Sequence, residues 1–135
     1  MSRSLVLFIY NLLLPVFFIV AFPAWLLKMW RRGGYGTGLM ERFGSFSIDA
    51  SEERQGCVYI HAVSVGEVFI ALKLIRQWLQ TEPALNVVLA ATTSTGHEVA
   101  RKNAPAGVRV IYSPLDFNAI VKAVLLRFQP RQIVL

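Results

Sequence analysis

Cysteine is scarce in this sequence. One cysteine, Cys57, occurs among 135 residues, so neither an intrachain disulfide nor a cysteine-based metal site can form. This usage fits a reducing compartment. Cys57 opens an apolar run, and we expect its thiol to be buried in a hydrophobic core.

Histidines are few, and the common nucleotide-binding motifs are absent. Neither His61 nor His97 has a carboxylate at ligand spacing, so the case for a metal site is weak. A hydrolytic pair of His61 and Ser64 is disfavoured, because no Gly-x-Ser-x-Gly motif occurs and the spacing separates the side chains. There is no Gly-x-Gly-x-x-Gly and no Walker loop, which leaves dinucleotide and ATP binding without support. We predict neither a metal nor a cofactor.

Apolar residues are abundant at the N-terminus. Ser4–Leu27 contains 24 consecutive residues without charge. At about 1.5 Å per residue, such a helix could cross a hydrocarbon core roughly 30 Å thick. The run is longer than the apolar region of a signal peptide and lacks a cleavage site before Lys28, so we expect a retained membrane segment over residues 1–32. Pro15 and Pro23 could kink it, which leaves both a single span and a re-entrant segment open.

Positive charge is concentrated beside the apolar run. Of the net charge of +6, the first 44 residues contribute +4, from five basic residues and one acidic residue. Three basic residues follow the run and one precedes it, so the positive-inside rule places the later residues in the cytoplasm. Trp25 and Trp30 suit a membrane–water interface. No basic stripe with interleaved aromatics occurs later in the chain, which sets nucleic acid aside.

The remaining sequence alternates between strand and helix patterns. Residues 33–56 form a glycine-rich linker, a stretch at Leu39–Gly44 that could hold a helical turn, and a polar loop at Ile48–Gly56. Residues 57–135 alternate regularly. The predicted strands are Cys57–Ala62, Asn86–Ala91, Val108–Tyr112 and Gln132–Leu135, and the predicted helices are Glu67–Gln80, Gly96–Asn103 and Asn118–Phe128. This order predicts an α/β, Rossmann-like domain with a parallel sheet. An apolar strand comes last, so we expect an incomplete sheet, from a fragment or a natural truncation.

Polar turns follow the predicted strands at the sheet edge where open α/β sheets bind ligands. Ser64 and Gly66 precede a helix N-terminus, which suits an anionic ligand. An ordinary turn is the alternative, with Ser64 as helix cap and Glu67 complementing the dipole. The turn Thr92–Gly96 after the second strand presents the same choice. After the third strand, Asp116 is interpreted as the cap of the next helix.

Glu41 lies between the apolar run and the sheet, in Gly-Leu-Met-Glu-Arg-Phe-Gly. A carboxylate near a bilayer surface could act as a general base toward a lipid-borne hydroxyl. An exposed charge beside Arg42 is the alternative.

Taken in order, these motifs resemble the Kdo transferases, which add 3-deoxy-D-manno-octulosonic acid (Kdo) to a lipid A precursor. The first feature is the apolar segment followed by basic residues, and the most specific is His-Ala-Val-Ser-Val-Gly-Glu at 61–67. The others are Glu-Arg-Phe-Gly at 41–44, Thr-Ser-Thr-Gly at 93–96 and Tyr-Ser-Pro-Leu-Asp at 112–116, with Pro130 before the last strand. The match covers essentially the whole chain, which corresponds to the N-terminal portion of a family member.

The resemblance implies a GT-B fold, in which two Rossmann-like domains face a cleft. It implies CMP-Kdo as donor, a lipid A precursor as acceptor, inversion at the anomeric carbon without a metal, and a location on the cytoplasmic face of the inner membrane. Glu41 would be the general base. The residues expected on the acceptor side are Arg42, Ser64, Gly66, Glu67, Thr93, Ser94 and Gly96.

The family continues past its fourth strand into a Glu-Leu-Trp-Pro motif and a CMP-binding domain, neither of which occurs in these 135 residues. The donor site would lie in that further portion, so we expect this chain alone to be inactive. A membrane-tethered non-catalytic remnant or lipid-binding module is the alternative from another functional class.

Overall fold

The computed structural model describes residues 3–31, 37–46 and 56–135. Most of the predicted glycine linker and acidic loop, at 32–36 and 47–55, lies outside the described residues, as does the side chain of Trp30. The chain divides into two compact units, Met1–Gly36 and Thr37–Leu135.

The described part of the first unit is one long helix, α1 (Arg3–Arg31), which continues through Pro15 and Pro23. Its stretch Ser4–Lys28 has a mean hydropathy of 2.6, and none of its most apolar window is buried. By length and composition this helix could cross a membrane. Aromatic side chains follow one face, with ring centroids 5.0 Å apart for Phe18 and Phe22 and 5.7 Å apart for Phe22 and Trp25.

The second unit alternates helices and strands. Its elements are α2 (Thr37–Arg42), β1 (Val58–Ala62), α3 (Val65–Thr81), β2 (Val87–Ala91), α4 (Ser94–Asn103), β3 (Arg109–Tyr112), α5 (Asn118–Phe128) and β4 (Gln132–Val134). Gly38, one of the glycines of the predicted linker region, lies inside α2.

The four strands form one parallel sheet in the order β3-β2-β1-β4. Val58 of β1 aligns with Val87 of β2 on one side and with Gln132 of β4 on the other. The predicted α/β class with a parallel sheet is confirmed. Among the described residues β3 and β4 are the outer strands, so each leaves one row of backbone groups without a neighbouring described strand.

Alternating side chains place a hydrophobic core on each face of the sheet. Val58, Ile60 and Ala62 pack on one face with residues of α3 and α4. Tyr59 and Cys57 point to the other face, where Phe128 of α5 joins them. Cys57 is fully buried and its Sγ lies 3.7 Å from the Phe128 carbonyl oxygen, so the predicted core thiol is confirmed.

Candidate functional site

The turn after β1 is a reciprocal helix cap. Ser64 is the N-cap of α3, and its Oγ accepts a hydrogen bond from the Glu67 amide at 3.3 Å. The Glu67 Oε2 accepts in return from the Val63 amide at 2.6 Å. This backbone bond lowers the pKa of the Glu67 carboxyl. The two side chains therefore satisfy free N–H groups at the start of the helix, and the capping interpretation is confirmed.

The turn after β2 is also a helix cap. Thr93 is the N-cap of α4, and its Oγ1 accepts from the Gly96 amide at 3.1 Å. A Cβ added at Gly96 would lie 2.8 Å from that oxygen, so the cap requires glycine there. Ser94 begins the helix.

The third predicted cap is wrong. The N-cap of α5 is Phe117, which makes no side-chain cap bond, and Asp116 lies one residue too early. A tight turn causes this offset, because the Phe117 amide bonds to the Leu115 carbonyl at 2.8 Å and moves the helix start along the chain.

Arg42 fastens α2 to the carboxyl ends of two strands. Only 7% of its surface is exposed, and its Nη2 donates to the Thr92 carbonyl at 2.7 Å. Its own carbonyl accepts from the Leu115 amide at 2.8 Å. Burial lowers the pKa of the guanidinium, while Tyr112 and Glu41 act in the opposite direction. This side chain is a structural anchor for the segment that carries Glu41.

Glu41 is half-buried and bonds to the outer strand β3. Its Oε2 accepts from the Tyr112 amide at 2.8 Å. The next amide, that of Ser113, donates to the Ala91 carbonyl of β2. Because successive N–H groups of a strand point to opposite sides, the Tyr112 amide faces away from β2. The carboxylate therefore accepts a hydrogen bond from an N–H group of β3 that points away from β2. The interpretation of Glu41 as a merely exposed charge is wrong.

The Tyr112 ring is the centre of the packing around Glu41. The His97 ring stacks on it at 3.8 Å with an interplanar angle of 9°, and the Arg42 guanidinium lies 4.5 Å from its centroid. A Cβ on Gly38 would be 2.6 Å from Tyr112 Cε2. Only a glycine lets α2 approach this ring so closely.

His97 is a buried neutral imidazole. Its surface is 7% exposed, and its Nε2 has no hydrogen-bond partner among the described residues. Burial, followed by the nearby Arg101 and Arg42 charges, lowers the pKa of His97 to about 4. The ring is uncharged at neutral pH, and its flat stack on Tyr112 carries no formal charge.

An open cleft of about 580 Å³ lies beside Glu41 along the outer side of β3. Its lining consists of Met40, Glu41, Ser45, Phe46, His97, Arg101, Val108, Arg109, Val110 and Tyr112. The cleft thus combines one carboxylate, two guanidinium groups and an apolar wall. Such a lining suits a ligand that has a hydroxyl to be deprotonated, an anionic group and an apolar portion.

The structure separates the residues expected on the acceptor side from this cleft. Arg42 does not line the cleft in the described residues, but its guanidinium packs on the Tyr112 ring, which does. Within the described part of the chain, the turn residues Ser64, Gly66, Glu67, Thr93, Ser94 and Gly96 do not line it. They lie at the carboxyl ends of β1 and β2, and Glu41 lies at the carboxyl end of β3.

His61 belongs to a polar network that crosses the sheet. Its Nδ1 lies 3.2 Å from Ser113 Oγ, which accepts from Thr92 Oγ1 at 3.3 Å. Its hydroxyl neighbour is therefore Ser113 rather than Ser64. His61 also borders two mostly apolar hollows of about 510 Å³ each near β4. Across residues 3–31, 37–46 and 56–135, no group of three potential metal ligands converges.

Sequence reasoning missed the residues that surround Glu41. Tyr112 was noted as the end of a strand and the start of a motif, and Gly38 as part of the linker and of the segment around Glu41. Neither was predicted to pack beside the Glu41 carboxylate. Arg101 and Arg109 carried no motif, since one ends a helix and the other opens a strand. A charged residue in a predicted strand, Arg109, was the one available signal of an outer strand. The strand order itself could not be read from the sequence.

Known proteins with similar sequences share one description. Residues 37–135 match the family "3-Deoxy-D-manno-octulosonic-acid transferase (kdotransferase)". The chain is 32% identical over 126 residues to the 3-deoxy-D-manno-octulosonic acid transferase of Chlamydia pneumoniae, covering 93% of this chain and 29% of that protein. The chain is 34% identical over 97 residues to the 3-deoxy-D-manno-octulosonic acid transferase of Haemophilus influenzae. This alignment covers 72% of this chain and 22% of that protein.

A plant protein is similar as well. The probable mitochondrial 3-deoxy-D-manno-octulosonic acid transferase of Arabidopsis thaliana is 30% identical over 95 residues, covering 70% of this chain and 21% of that protein. The chain therefore spans less than a third of the length of these curated relatives. No solved structure matches it at a significant level.

Proposed function

This chain belongs to the Kdo transferase family, and from that premise we propose that it forms the acceptor side of an enzyme that moves Kdo from CMP-Kdo to a lipid A precursor. In this proposal Thr37–Leu135 belongs to the first Rossmann-like half of a GT-B enzyme. The donor is held by a further portion of the polypeptide. The parallel sheet and the family match support this assignment.

The position of Glu41 carries the proposal. One carboxylate oxygen is fixed by the Tyr112 amide at 2.8 Å, and the residue lines an open cleft. A carboxylate held in this way keeps lone pairs that can accept a proton from a bound hydroxyl. As the proton moves to Glu41, the acceptor oxygen bonds to the anomeric carbon of Kdo. The bond from that carbon to the CMP phosphate breaks, CMP leaves with the electron pair, and attack opposite the leaving group inverts the centre.

Three contacts hold the base in place. Arg42 bonds to Thr92 through its guanidinium and to Leu115 through its carbonyl, and Glu41 itself bonds to Tyr112. These partners lie at the carboxyl ends of β2 and β3, where ligands bind in open α/β sheets. The segment is therefore fixed on a rigid framework, as a positioned base requires.

We assign α1 as a membrane anchor that keeps the enzyme on the cytoplasmic face of the inner membrane, where it meets a lipid acceptor. Its apolar stretch Ser4–Lys28 supports this assignment. So does the excess of basic residues after the apolar stretch, by the positive-inside rule. A continuous helix through both prolines favours a single span over a re-entrant segment.

The decisive experiment replaces Glu41 by Gln in the full-length polypeptide and measures Kdo transfer. The Gln amide oxygen can still accept from the Tyr112 N–H, so the fold is retained while basicity is lost. We expect the transfer rate to fall by about 10²–10⁴-fold, the usual contribution of a general base. The matched control is Glu98→Gln, which alters an exposed carboxylate of α4 outside the cleft lining and should leave the rate near that of the parent protein.

An active Glu41→Gln variant would show that this carboxylate only caps the outer strand. If the parent protein bound the lipid A precursor without forming product from CMP-Kdo, the non-catalytic lipid-binding module would replace the enzyme assignment.

A further inference from the structure

His61, near the end of β1, has no part in the proposed proton transfer. Its Nδ1 lies 3.2 Å from the Oγ of Ser113, and that oxygen accepts from the Oγ1 of Thr92 at 3.3 Å. Thr92 is held by its backbone, because its amide donates to the Ala62 carbonyl at 3.0 Å and its carbonyl accepts from Arg42 at 2.7 Å. The imidazole therefore ends a chain of hydroxyls that begins on a firmly held residue.

The order of the hydroxyls decides which ring nitrogen carries the proton. Each hydroxyl has one hydrogen to donate. Thr92 donates its hydrogen to Ser113, so the hydrogen of Ser113 is directed to its other partner, Nδ1 of His61. Ser113 is 3% exposed, and its hydroxyl has no third hydrogen-bond partner among the described residues. A neutral imidazole that accepts at Nδ1 carries its own proton on Nε2.

The Nε2–H group of His61 can bind a ligand. In the part of the chain that the structure describes, this nitrogen makes no hydrogen bond. Whereas Nε2 of His97 is enclosed by protein, the His61 nitrogen is reached by solvent. Ligands of open α/β sheets bind beyond the carboxyl ends of the strands, where this ring lies. A donor of fixed tautomer and orientation at that place is suited to recognition.

The surroundings of the ring favour a neutral ligand oxygen over an anion. His61 borders the two hollows of about 510 Å³, and apolar side chains make up most of both linings. Each lining contains an acidic residue, Glu67 in one and Asp116 in the other, and no described lysine or arginine lines either hollow. A phosphate or carboxylate group would therefore meet the like charge of Glu67 without a counter-charge. A hydroxyl oxygen can accept from an uncharged N–H.

We propose that His61 binds a sugar hydroxyl of a substrate through its Nε2–H, and that Ser113 and Thr92 are positioning residues that hold the imidazole in this tautomer. The inference rests on the proposed function, which supplies two sugar-bearing substrates, CMP-Kdo and the lipid acceptor. The chemistry of the contact is the same for either sugar. The apolar linings beside the ring suit the C–H faces of such a ligand.

A purely structural role is the alternative, in which His61 only accepts the Ser113 hydrogen and completes the network. Two amide variants separate these roles. His61→Asn places an oxygen near the position of Nδ1, so it can keep the Ser113 bond, but it has no group at the position of Nε2. His61→Gln reaches the position of Nε2 with an N–H donor and leaves Ser113 without its acceptor. Ligand binding and structural support therefore predict opposite orders for the two variants.

The test measures dissociation constants of the full-length protein in phosphatidylcholine nanodiscs, with CMP-Kdo and the lipid acceptor each added alone so that no transfer occurs. We expect His61→Asn to weaken binding of one of the two about tenfold, as for loss of one hydrogen bond, and His61→Gln to weaken it less. The substrate affected identifies the sugar that carries the hydroxyl. In urea unfolding the order should reverse, with His61→Gln the less stable variant. Affinities that follow the stability order, or that change in neither variant, would overturn the proposal.

The tautomer is measured independently, from the ring ¹⁵N chemical shifts of His61 at mildly alkaline pH. Its signals are assigned by their loss in His61→Asn. The parent should carry the proton on Nε2, and Ser113→Ala should introduce the Nδ1–H form, whereas Ser113→Thr keeps the hydroxyl and the parent tautomer. A proton on Nδ1 in the parent would contradict the proposal.

Neither measurement needs turnover, so a parent protein that binds both substrates without forming product would overturn the proposed function and not this site. If Glu41→Gln stays active while the His61 results hold, the base assignment fails and the hydroxyl-binding site stands.

Discussion

Two groups of polar residues lie at the carboxyl ends of the strands, and they differ in the reach of their contacts. Ser64 and Thr93 bond to amides three residues away, and Glu67 bonds to one four residues away. Glu41 bonds to an amide 71 residues away, and Arg42 to a carbonyl 50 residues away. The first group completes the helices that follow it. The second joins distant parts of the chain, and no local secondary structure accounts for it.

This contrast predicts different consequences of mutation. Residues with local contacts should contribute about the energy of a helix cap. Residues with distant contacts should contribute more to stability, and their loss should also lower the transfer rate by displacing the proposed base Glu41. The following predictions begin with the largest expected effect.

Arg42→Ala should reduce the free energy of unfolding by about 3 kcal/mol, since it removes a buried guanidinium and the charge-assisted hydrogen bond that this group donates to the part-buried Thr92 carbonyl. Urea unfolding followed by circular dichroism measures the loss. Arg42→Lys is the control, because it keeps the charge but loses the planar guanidinium over Tyr112. The comparison between the two groups fails if Arg42→Ala costs no more than Ser64→Ala.

His97 should make the distant-contact region sensitive to acid. Its folded pKa of about 4 lies below the ordinary value of 6.5, so the unfolded state binds more protons between these two pH values. Stability should therefore fall as the pH drops from 6.5 to 4, by about 3 kcal/mol in total. His97→Phe keeps an aromatic ring against Tyr112 and removes the titration. Subtracting its pH–stability curve from that of the parent cancels the carboxylates, and a flat difference would contradict the prediction.

Two glycines provide a matched pair. Gly38→Ala should cost about 2 kcal/mol, because its Cβ would lie 2.6 Å from the Tyr112 ring, and it should lower the transfer rate by displacing Glu41. The nearest atom to a Cβ at Gly66 is Ser64 Oγ at 3.9 Å, and Gly66 lies in the first turn of α3. Gly66→Ala should therefore leave stability unchanged or raise it slightly. Equal losses at both positions would remove the distinction.

Ser64→Ala and Thr93→Ala should have the smallest effects, about 1 kcal/mol each, the usual value of a helix N-cap. The caps begin different helices, so the double variant should show the sum of the two losses. The KM for the lipid acceptor, measured on the same variants, tests the expectation from the resemblance that Ser64 and Thr93 lie on the acceptor side. A KM equal to that of the parent would restrict both residues to capping.

The sequence predicted most of what depends on neighbouring residues. Periodicity located the strands and helices of the second unit to within about two residues, and spacing identified Ser64 as a cap. The prediction that Asp116 caps α5 was wrong, because the Phe117–Leu115 turn places the start of α5 one residue later. Such an offset cannot be recognised from a residue type that is common at caps.

The surroundings of Glu41 required the fold. A resemblance singled out Glu41, but its bond to Tyr112 depends on β3 being the outer strand, and the order β3-β2-β1-β4 is not written in any local pattern. The same applies to Arg42, whose burial follows from the approach of α2 to Tyr112 at Gly38.

The strand order also has a consequence for biosynthesis. Val58 in the central strand meets Val87 on one side and Gln132 on the other, so its two neighbours lie 29 and 74 positions later in the chain. During translation β1, β2 and β3 can assemble first, while the second side of β1 stays open until β4 leaves the ribosome. An open apolar strand can pair with another nascent chain. The interval between synthesis of β3 and β4 is therefore the period in which we expect this protein to depend most on chaperones.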